Sequence, residues 1–317
     1  MKKPTLKDIA YLAHVSPATV SRALNHRSSV NIETLQVIDE AMEKLGYTLE
    51  KKDPGIIMIH LEELDNIYFY DVLAGVNAAA NARNLHVLID QTPLNPETIP
   101  DFVRRLETVH ATGLITMHQL PVKILEKLSK VIRVVQCSEH NPDASLPFVT
   151  IDNYQAAKQA TNYLIQAGKT RLCLLNGSLD NRYAIQRQKG FIDAMQIARL
   201  PIRKDWIVSL NDIRYDLAIS IIESLLNTPK PPDAFFCISD TIGAAVISVA
   251  NKYHLSIPED VAVLGFDNTF ISKMTTPALS TVDVPKFQEG YTAVDLLFQK
   301  QIKNVLLKTS LVIRDSV

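Results

Sequence analysis

The sequence predicts a small all-α headpiece followed by a larger α/β region of two lobes with parallel sheets. The first 47 residues show the spacing of three short amphipathic helices. The rest alternates short apolar runs with amphipathic helical segments, which is typical of parallel sheets covered by helices on both faces. Because that region holds about 260 residues, more than one such sheet requires, we expect two similar lobes.

Bulk properties narrow the class of protein. The chain has 317 residues, a net charge of −1, 47% hydrophobic residues and 21% charged residues, as in ordinary globular proteins. Its near-neutral charge argues against a general coat for nucleic acid but leaves room for a local basic module. No apolar stretch reaches the about 18 residues of a membrane span, and no leader pattern precedes the first helix. We therefore expect a cytoplasmic protein without membrane contact.

The cysteines are few and far apart. Cys137, Cys173 and Cys237 are odd in number, and the last two lie in apolar runs. This favours buried, reduced thiols over a disulfide or a metal site.

The headpiece helices carry start and stop signals. Thr5, with Asp8 three residues later, forms a capping box for the first helix. Ser16, followed by proline, begins the second helix, and Asn31 and Gly46 bound the third. The residues expected to face inward are Leu6, Ile9, Ala10 and Ala13, then Val20, Ala23 and Leu24, then Ile32, Leu35, Ile38, Met42 and Leu45.

The first 30 residues are locally basic, which suggests DNA as a partner. Their lysines and arginines are Lys2, Lys3, Lys7, Arg22 and Arg27, against the single acid Asp8. A helix, a short turn, a second helix and a packing helix form the architecture that presents the second helix to a major groove. Arg22 suits a guanine edge and Ala18 a thymine methyl, while hydroxyl and amide side chains suit phosphates. A three-helix module for protein interaction is the alternative.

Longer motifs identify a family. The segments LKDIA at 6–10, VS at 15–16, ATVSRALN at 18–25 and LGY at 45–47 resemble the helix-turn-helix headpiece of the lactose-repressor family of transcriptional regulators. The resemblance implies base reading by Pro17, Ala18 and Arg22. It implies further contacts to DNA, mostly phosphates, by Thr5, Ser16, Thr19, Ser21, Asn25 and Tyr47.

The linker departs from the family pattern. Relatives carry a hinge helix there that inserts a leucine into the minor groove. Residues 48–55 are too few for a full hinge helix. Leu49 as a wedge, or a tether with Lys51 and Lys52 near phosphates, are the two interpretations left open. We assign residues 1–47 to the headpiece and 48–55 to a short linker.

Residues 56–317 are interpreted as a ligand-binding sensor. Apolar runs recur at 56–61, 87–90, 114–117, 131–136, 149–152, 172–175, 206–209, 235–238 and 261–266. The strings VTIDN at 149–153, SD at 239–240, IPEDVAVLGFDN at 257–268 and PALSTV at 277–282 resemble the family's periplasmic-binding-protein-like sensor. We expect one lobe of about 56–150 plus about 284–310, and a second of about 151–283 plus the C-terminal end.

An enzyme is not expected. The chain lacks a G-x-G-x-x-G after a strand, a G-x-S-x-G elbow and histidines at metal-ligand spacing, and Tyr163 occupies the glycine position that a phosphate loop ending at Gly168 needs. We therefore expect no catalytic residue, no cofactor and no metal.

Two candidates for ligand contact follow apolar runs. Asp267 ends the run 261–266, where a carboxylate can accept from ligand hydroxyl or N–H groups or cap the next segment. Asp240 can contact ligand or cap a helix. Gln136 and Ser138 end another run where relatives place a ligand-binding acid, so they are weak candidates.

Other candidates rest on the resemblance. It implies ligand contact by Arg187 and, less directly, Arg182. It also implies that Tyr68 and Phe69 stack on a flat ring or a sugar face. Asp212 falls where purine-binding relatives carry an aromatic residue, which suggests a ligand with hydroxyls.

The function predicted from these patterns is a ligand-responsive transcriptional repressor. Residues 146–153, 226–240 and 265–268 most resemble the cytidine-responsive branch of the family, which favours a nucleoside effector. The alternatives are a sugar-responsive repressor of a catabolic operon, or a solute-binding sensor that does not bind DNA. The expected partners are operator DNA, a small effector and a second copy of the chain. The short linker adds another DNA-bound regulator as a further partner to consider.

Overall fold

The computed structural model describes residues 4–25, 27–47 and 55–317, with the side chains of 25 and 28 left out. It divides into one unit of Met1–Pro54 and another of Gly55–Val317. The linker residues Leu49, Lys51 and Lys52 lie outside the described residues.

The described residues of the headpiece form three α-helices. They are α1 (Leu6–Leu12), α2 (Pro17–Asn25) and α3 (Ile32–Leu45), with a 3₁₀ turn at Arg27–Ser29. The backbone N–H of Thr5 donates to the Asp8 carboxylate over 2.7 Å, and Ser16 Oγ accepts from the N–H of Thr19 over 3.0 Å. Asn31 Oδ1 accepts from the N–H of Thr34 over 2.8 Å, and Gly46 ends α3 with a φ of 61°. These side chains begin each helix where its first N–H groups have no partner within it.

The headpiece core is small. It consists of the buried residues Ile9, Ala10, Ala13, Val20, Ala23, Ile38 and Ala41. Two expected members are exposed instead, Leu6 at 37% and Ile32 at 75%. Each is the first residue of its helix, before the turns that contact the other helices, so the periodic pattern overextends the buried stripe.

The α/β unit carries two six-stranded sheets. The strands are β1 (Ile56–His60), β2 (His86–Asp90), β3 (Ala111–Thr116), β4 (Val134–Cys137), β5 (Phe148–Ile151), β6 (Leu172–Asn176), β7 (Ile207–Ser209), β8 (Ala234–Cys237), β9 (Ala262–Asp267), β10 (Ser280–Asp283), β11 (Val305–Leu307) and β12 (Ser310–Val312). The first sheet has the order β11-β5-β4-β3-β1-β2 and the second β12-β10-β9-β8-β6-β7. Neighbouring strands in both sheets are parallel, except that β10 and β12 are antiparallel.

Helices cover both faces of each sheet. They are α4 (Tyr68–Asn81), α5 (Ile99–Thr108), α6 (Val122–Ser129), α7 (Asn153–Gln166), α8 (Arg182–Ile197), α9 (Tyr215–Leu226), α10 (Asp240–Lys252), α11 (Ile271–Met274) and α12 (Lys286–Phe298), with a 3₁₀ turn at Lys204–Trp206. Successive strand residues enter opposite cores: Ile57 and Ile59 pack on one side of the first sheet and Met58 on the other. This architecture confirms the predicted fold class.

We call the first sheet with its helices the first lobe, and the second sheet with its helices the second lobe. The chain passes between them after β5, after β10 and between β11 and β12. In the first lobe α4 and α12 pack so closely that a Cβ at Gly290 would lie 1.9 Å from the backbone oxygen of Val72. This contact fixes α12, which supplies a buried acid to the site described below.

The structure also bears on the state of the cysteines and on membrane spans. Cys137, Cys173 and Cys237 are free and buried, as the sequence predicts. Within the described residues, no helix has both the length and the apolar character needed to cross a membrane.

Candidate ligand-binding and DNA-binding sites

A cavity lies between the two lobes, beyond the carboxyl ends of strands β4, β5 and β9. The empty space measures about 560 Å³ when the solvent at its open mouth is included. Its first-lobe lining includes Asn66, Tyr68, Phe69, Ser138, Glu139 and Thr150, and its second-lobe lining includes Asn153, Tyr183, Arg187, Ile213, Ser239 and Asp267. Of the sequence candidates, the structure therefore brings Tyr68, Phe69, Arg187, Asp267 and Ser138 together.

Arg187 is held in place by groups from several elements. This buried residue of α8 donates from Nε to Asn153 Oδ1 over 2.9 Å and from Nη1 to the backbone oxygen of Ile238 over 2.7 Å. Its Cζ lies 3.4 Å from the centre of the Phe266 ring, a cation–π contact. Burial lowers the pKa of the Arg187 guanidinium, and the nearby Asp267 opposes that effect. Nη2 has no acceptor among the described residues, so it is the nitrogen that a ligand can engage.

Asp267 ends β9 in an unusual backbone conformation. Its φ is 97° and that of Asn268 is 50°, values that non-glycine residues rarely adopt and that cluster at functional sites. Lys286 Nζ donates to the backbone oxygen of Asp267. The buried side-chain carboxylate accepts no hydrogen bond from any described residue, and burial raises its pKa against the opposing charges of Arg187 and Lys286. Such a carboxylate has a strong tendency to bind a donor from a ligand.

The aromatic pair rests on a buried acid that the sequence patterns do not single out. Tyr68 donates from its hydroxyl to Glu289 Oε2 over 2.5 Å, and Ser138 Oγ donates to the same oxygen over 3.1 Å. Burial raises the pKa of Glu289 to about 7, while these two hydrogen bonds oppose the shift. The rings of Tyr68 and Phe69 are edge to face, with centroids 5.3 Å apart. One sequence pattern could have revealed Glu289. Its helical spacing with Ala293 and Leu297 places an acid in the apolar stripe of α12.

A second missed acid is Glu139, two residues after β4. The half-buried Glu139 lines the cavity near the start of α8. Its Oε2 is buried without a partner among the described residues. Burial raises the pKa of Glu139 to about 7, and Arg187 opposes that shift. Gln136, the other weak candidate, is fully buried and does not line the cavity, and its Oε1 accepts from the N–H of Asn141 over 2.8 Å.

Besides Gln136, three sequence candidates lie outside the lining. The carboxylate of Asp240 is buried and accepts from Thr281 Oγ1 over 2.5 Å and from the N–H of Thr269 over 2.5 Å. The expected contact between Asp240 and a ligand does not fit this placement, because both oxygens are already bonded inside the second lobe. Its neighbour Ser239 caps α10 and lines the cavity instead.

The other two candidates lie near the cavity but not in it. Arg182 begins α8, and its Nε is buried without a partner among the described residues. Asp212 is exposed and lines an adjoining polar recess with Glu63 and Asp65. Neither placement matches the expected direct contact in the main cavity. Among the described residues no group of three or more His, Cys, Asp or Glu side chains could hold a metal ion.

The candidate DNA-binding face is the outer side of α2. Ser16, Pro17, Ala18 and Arg22 are exposed there, while Val20 and Ala23 on the opposite side are fully buried. The Arg22 guanidinium meets no acceptor within the described part of the chain. A basic, unpaired side chain on a helix that stands clear of its own core suits a base edge in the major groove.

Most of the remaining headpiece candidates are partly buried or lie against neighbouring side chains. Thr19 and Ser21 are half-buried on α2, and the hydroxyls of Ser16 and Thr19 lie 2.8 Å apart. Thr5 is exposed beside Asp8, and the half-buried Tyr47 packs against the headpiece core. Asn25 ends α2, but its side chain lies outside the described part.

Comparisons with known proteins match both parts of the chain. Residues 5–49 match the family described as bacterial regulatory proteins, lacI family. Residues 161–317 match the periplasmic binding protein-like domain.

Relatives match along nearly the whole chain. The HTH-type transcriptional repressor CytR of Escherichia coli (strain K12) is 28% identical over 327 residues, which cover 98% of this chain and 96% of that repressor. The ribose operon repressor of Haemophilus influenzae is 28% identical over 332 residues, which cover 99% of this chain and 98% of that protein. A crystal structure of the Lac repressor bound to ONPG has the same fold, with a TM-score of 0.78, 21% identity and 100% of each chain covered.

Proposed function

The chain belongs to the lacI family of bacterial regulatory proteins, and is thus a ligand-responsive DNA-binding repressor; we propose that its effector is a nucleoside. The observation that carries this proposal is the composition of the cavity between the lobes. Aromatic side chains from both lobes, Tyr68 and Phe69 from the first and Tyr183 from the second, border it together with Arg187 and Asp267.

This set of groups suits the two halves of a nucleoside. An aromatic ring offers its face to a flat base. Asp267 accepts from ribose hydroxyls, and Arg187 Nη2 donates to a carbonyl or ring nitrogen. The resemblance of residues 226–240 to the cytidine-responsive branch supports the same ligand class.

A sugar effector is the second candidate. Aromatic side chains also stack on the apolar face of a sugar, and Asp267 can accept from its hydroxyls. The ribose operon repressor is as similar to this chain as CytR is, at 28% identity. Under this alternative the fold and the DNA-binding face keep their roles and the controlled genes serve carbohydrate use.

On DNA, we propose a homodimer that places one headpiece on each half of a near-palindromic operator. Arg22 and Ala18 read bases, and the hydroxyls of α2 contact phosphates. Effector binding lowers operator affinity, because the effector has different affinities for the DNA-bound and free states. A second regulator bound beside the dimer would supply contacts that a short linker does not. A repressor of this kind acts in the bacterial cytoplasm, where the chromosome is.

Thermal unfolding tests the effector class. The purified protein is heated with cytidine, adenosine, purine bases, ribose and common sugars, each in large excess. A ligand that binds only the native state at a hundred times its dissociation constant adds about 2.7 kcal/mol of stability. Stabilisation by a nucleoside alone supports the proposal, whereas stabilisation by a sugar alone replaces it with the second candidate.

A further inference from the structure

A buried acid outside the cavity bonds to two residues of its first-lobe lining. Glu289 of α12 is fully buried and does not line the cavity, but its Oε2 accepts hydrogen bonds from Tyr68 and Ser138, which do. We propose that Glu289 is a positioning residue that holds both hydroxyl hydrogens, so that this wall of the cavity accepts hydrogen bonds from the effector and does not donate them. The inference rests on the proposed function, because it concerns the same effector.

The distances decide where the two hydroxyl hydrogens lie. Tyr68 Oη is 2.5 Å from Glu289 Oε2 and 3.5 Å from Ser138 Oγ. Its hydrogen takes the shorter bond, because a strong bond from a hydroxyl to a carboxylate is about 2.5–2.7 Å long. Ser138 Oγ is 3.1 Å from the same carboxylate oxygen and 3.8 Å from the sulfur of Cys137, a weak acceptor. Since each hydroxyl has a single hydrogen, only its lone pairs remain for a ligand.

Glu289 can hold these hydrogens in both of its protonation states. Its Oε1 is buried without a partner among the described residues, so a proton on Oε1 leaves Oε2 able to accept from both hydroxyls. The charged groups that influence Glu289 are Asp267 at the end of β9 and Lys286 at the start of α12. Protonation therefore changes the strength of the two hydrogen bonds and keeps their direction.

The surrounding backbone leaves these groups little freedom to move. A Cβ at Gly290, the neighbour of Glu289, would lie 1.9 Å from the backbone oxygen of Val72, so α12 and α4 are in backbone contact at this point. The backbone oxygen of Ser138 accepts from Thr150 Oγ1 over 2.7 Å. Either hydroxyl can therefore turn its hydrogen toward a ligand only by giving up its bond to the carboxyl group.

An acceptor wall selects ligand groups by the direction of their hydrogen bonds. A hydroxyl or amino group of the effector can donate to Tyr68 Oη or Ser138 Oγ, whereas an oxo group or a fluorine atom would bring lone pairs against lone pairs. Such a mismatch leaves buried acceptors unpaired, which lowers affinity. The second lobe supplies the opposite chemistry through the free Nη2 of Arg187. We therefore expect an effector with a donor on the side of the first lobe.

The direction of the hydroxyl hydrogens is tested by proton magnetic resonance on the full chain without a ligand. A buried hydrogen in a short bond to a carboxyl oxygen gives a signal far downfield of the amide signals. We expect such a signal in the parent, lost in Tyr68→Phe and Glu289→Met, and kept in Glu289→Gln, whose amide oxygen still accepts. Gln288→Met, at an exposed neighbouring position of α12, is the control and should keep it. A parent spectrum without a downfield signal that Tyr68→Phe removes overturns the proposal.

The selection among ligands is tested by calorimetry with matched pairs in which a donor is replaced by an acceptor. Cytidine is compared with uridine, adenosine with inosine, and ribose and both nucleosides with analogues that carry fluorine in place of one hydroxyl. The parent, Glu289→Gln and Gln288→Met should prefer the donor member of at least one pair by about tenfold or more. Glu289→Met should lose most of that preference, because its two hydroxyls can turn and donate.

Two results of this comparison contradict the proposal. One is a parent that prefers no donor member, and the other is the same preference in Glu289→Met as in the parent. If no member of any pair binds the parent, the proposed effector classes fail, while the downfield proton signal still decides the direction of the two hydroxyls.

Discussion

The guanidinium carbon of Arg187 lies 3.4 Å from the centre of the Phe266 ring. Phe266 immediately precedes Asp267, so one strand end supplies both a face for the cation and a carboxylate for the ligand. The hydrogen bonds of Arg187 to Asn153 and Ile238 fix its orientation further. The cavity therefore presents an oriented donor and an unpaired acceptor side by side, an arrangement that favours recognition because little ordering remains for binding.

We expect Arg187→Lys to abolish the response to the effector. A lysine cannot serve both Asn153 and the backbone oxygen of Ile238 with the same geometry, so a buried acceptor is left unpaired. The free energy of unfolding should fall by about 1–3 kcal/mol. Urea denaturation measures this loss, and calorimetry measures effector binding. Arg214→Lys, at an exposed site of the adjoining recess, is the control, and equal effects at both positions would contradict the assigned role.

Asp267→Asn should separate ligand binding from stability. Burial raises the pKa of this carboxyl, so the charged form is disfavoured in the folded protein and a neutral amide removes that cost at neutral pH. We expect unchanged or higher stability and unchanged operator affinity, with effector affinity lowered about tenfold or more. Undiminished effector affinity would show that the ligand binds elsewhere.

Glu289 should make stability depend on pH. Its pKa is raised from 4.5 to about 7, so the folded state holds a proton that the unfolded state has released within that window. Its contribution to the free energy of unfolding therefore falls as pH rises from 4.5 to about 7, by up to about 3 kcal/mol. Glu289→Gln should flatten this part of the profile measured by urea denaturation. The profile of Glu289→Gln would match that of the parent if the buried carboxyl did not titrate there.

Arg22→Ala should weaken operator binding by about 1–3 kcal/mol and relax the preference at one base pair. The effect arises on the exposed side of α2, so effector binding to the α/β unit should not change. Fluorescence anisotropy with labelled duplexes measures both affinity and base preference. Lys44→Ala, an exposed position on α3, is the matched control. If Arg22→Ala keeps full affinity and preference, α2 is not the reading helix.

Local patterns predict the parts of the fold that depend on neighbours in sequence. The Thr5–Asp8 box, the Ser16 and Asn31 caps and Gly46 mark helix ends that the structure shows within a residue. The alternation of apolar runs and helical segments likewise predicts the parallel sheets, because each strand and helix must bury its own apolar face.

The missed acids depend on contacts between distant residues. Glu289 meets Tyr68 across 221 positions of the chain, and Glu139 lines a cavity with residues of the second lobe only because the two lobes face each other. Asp240, in contrast, is a sequence candidate that the structure places outside the cavity. Its place after a strand is typical of a ligand residue, but Thr281 and Thr269 bond it inside the second lobe, and only the three-dimensional packing could reveal these partners.

The most direct test is an effector titration of the protein–operator complex. A duplex selected from random DNA by the purified protein is labelled, and its anisotropy is followed as cytidine, adenosine, ribose or another sugar is added at constant salt. We expect a nucleoside to release the duplex, with operator affinity lowered about 5–150-fold. Release by a sugar alone, or tighter operator binding in the presence of a nucleoside, would contradict the account.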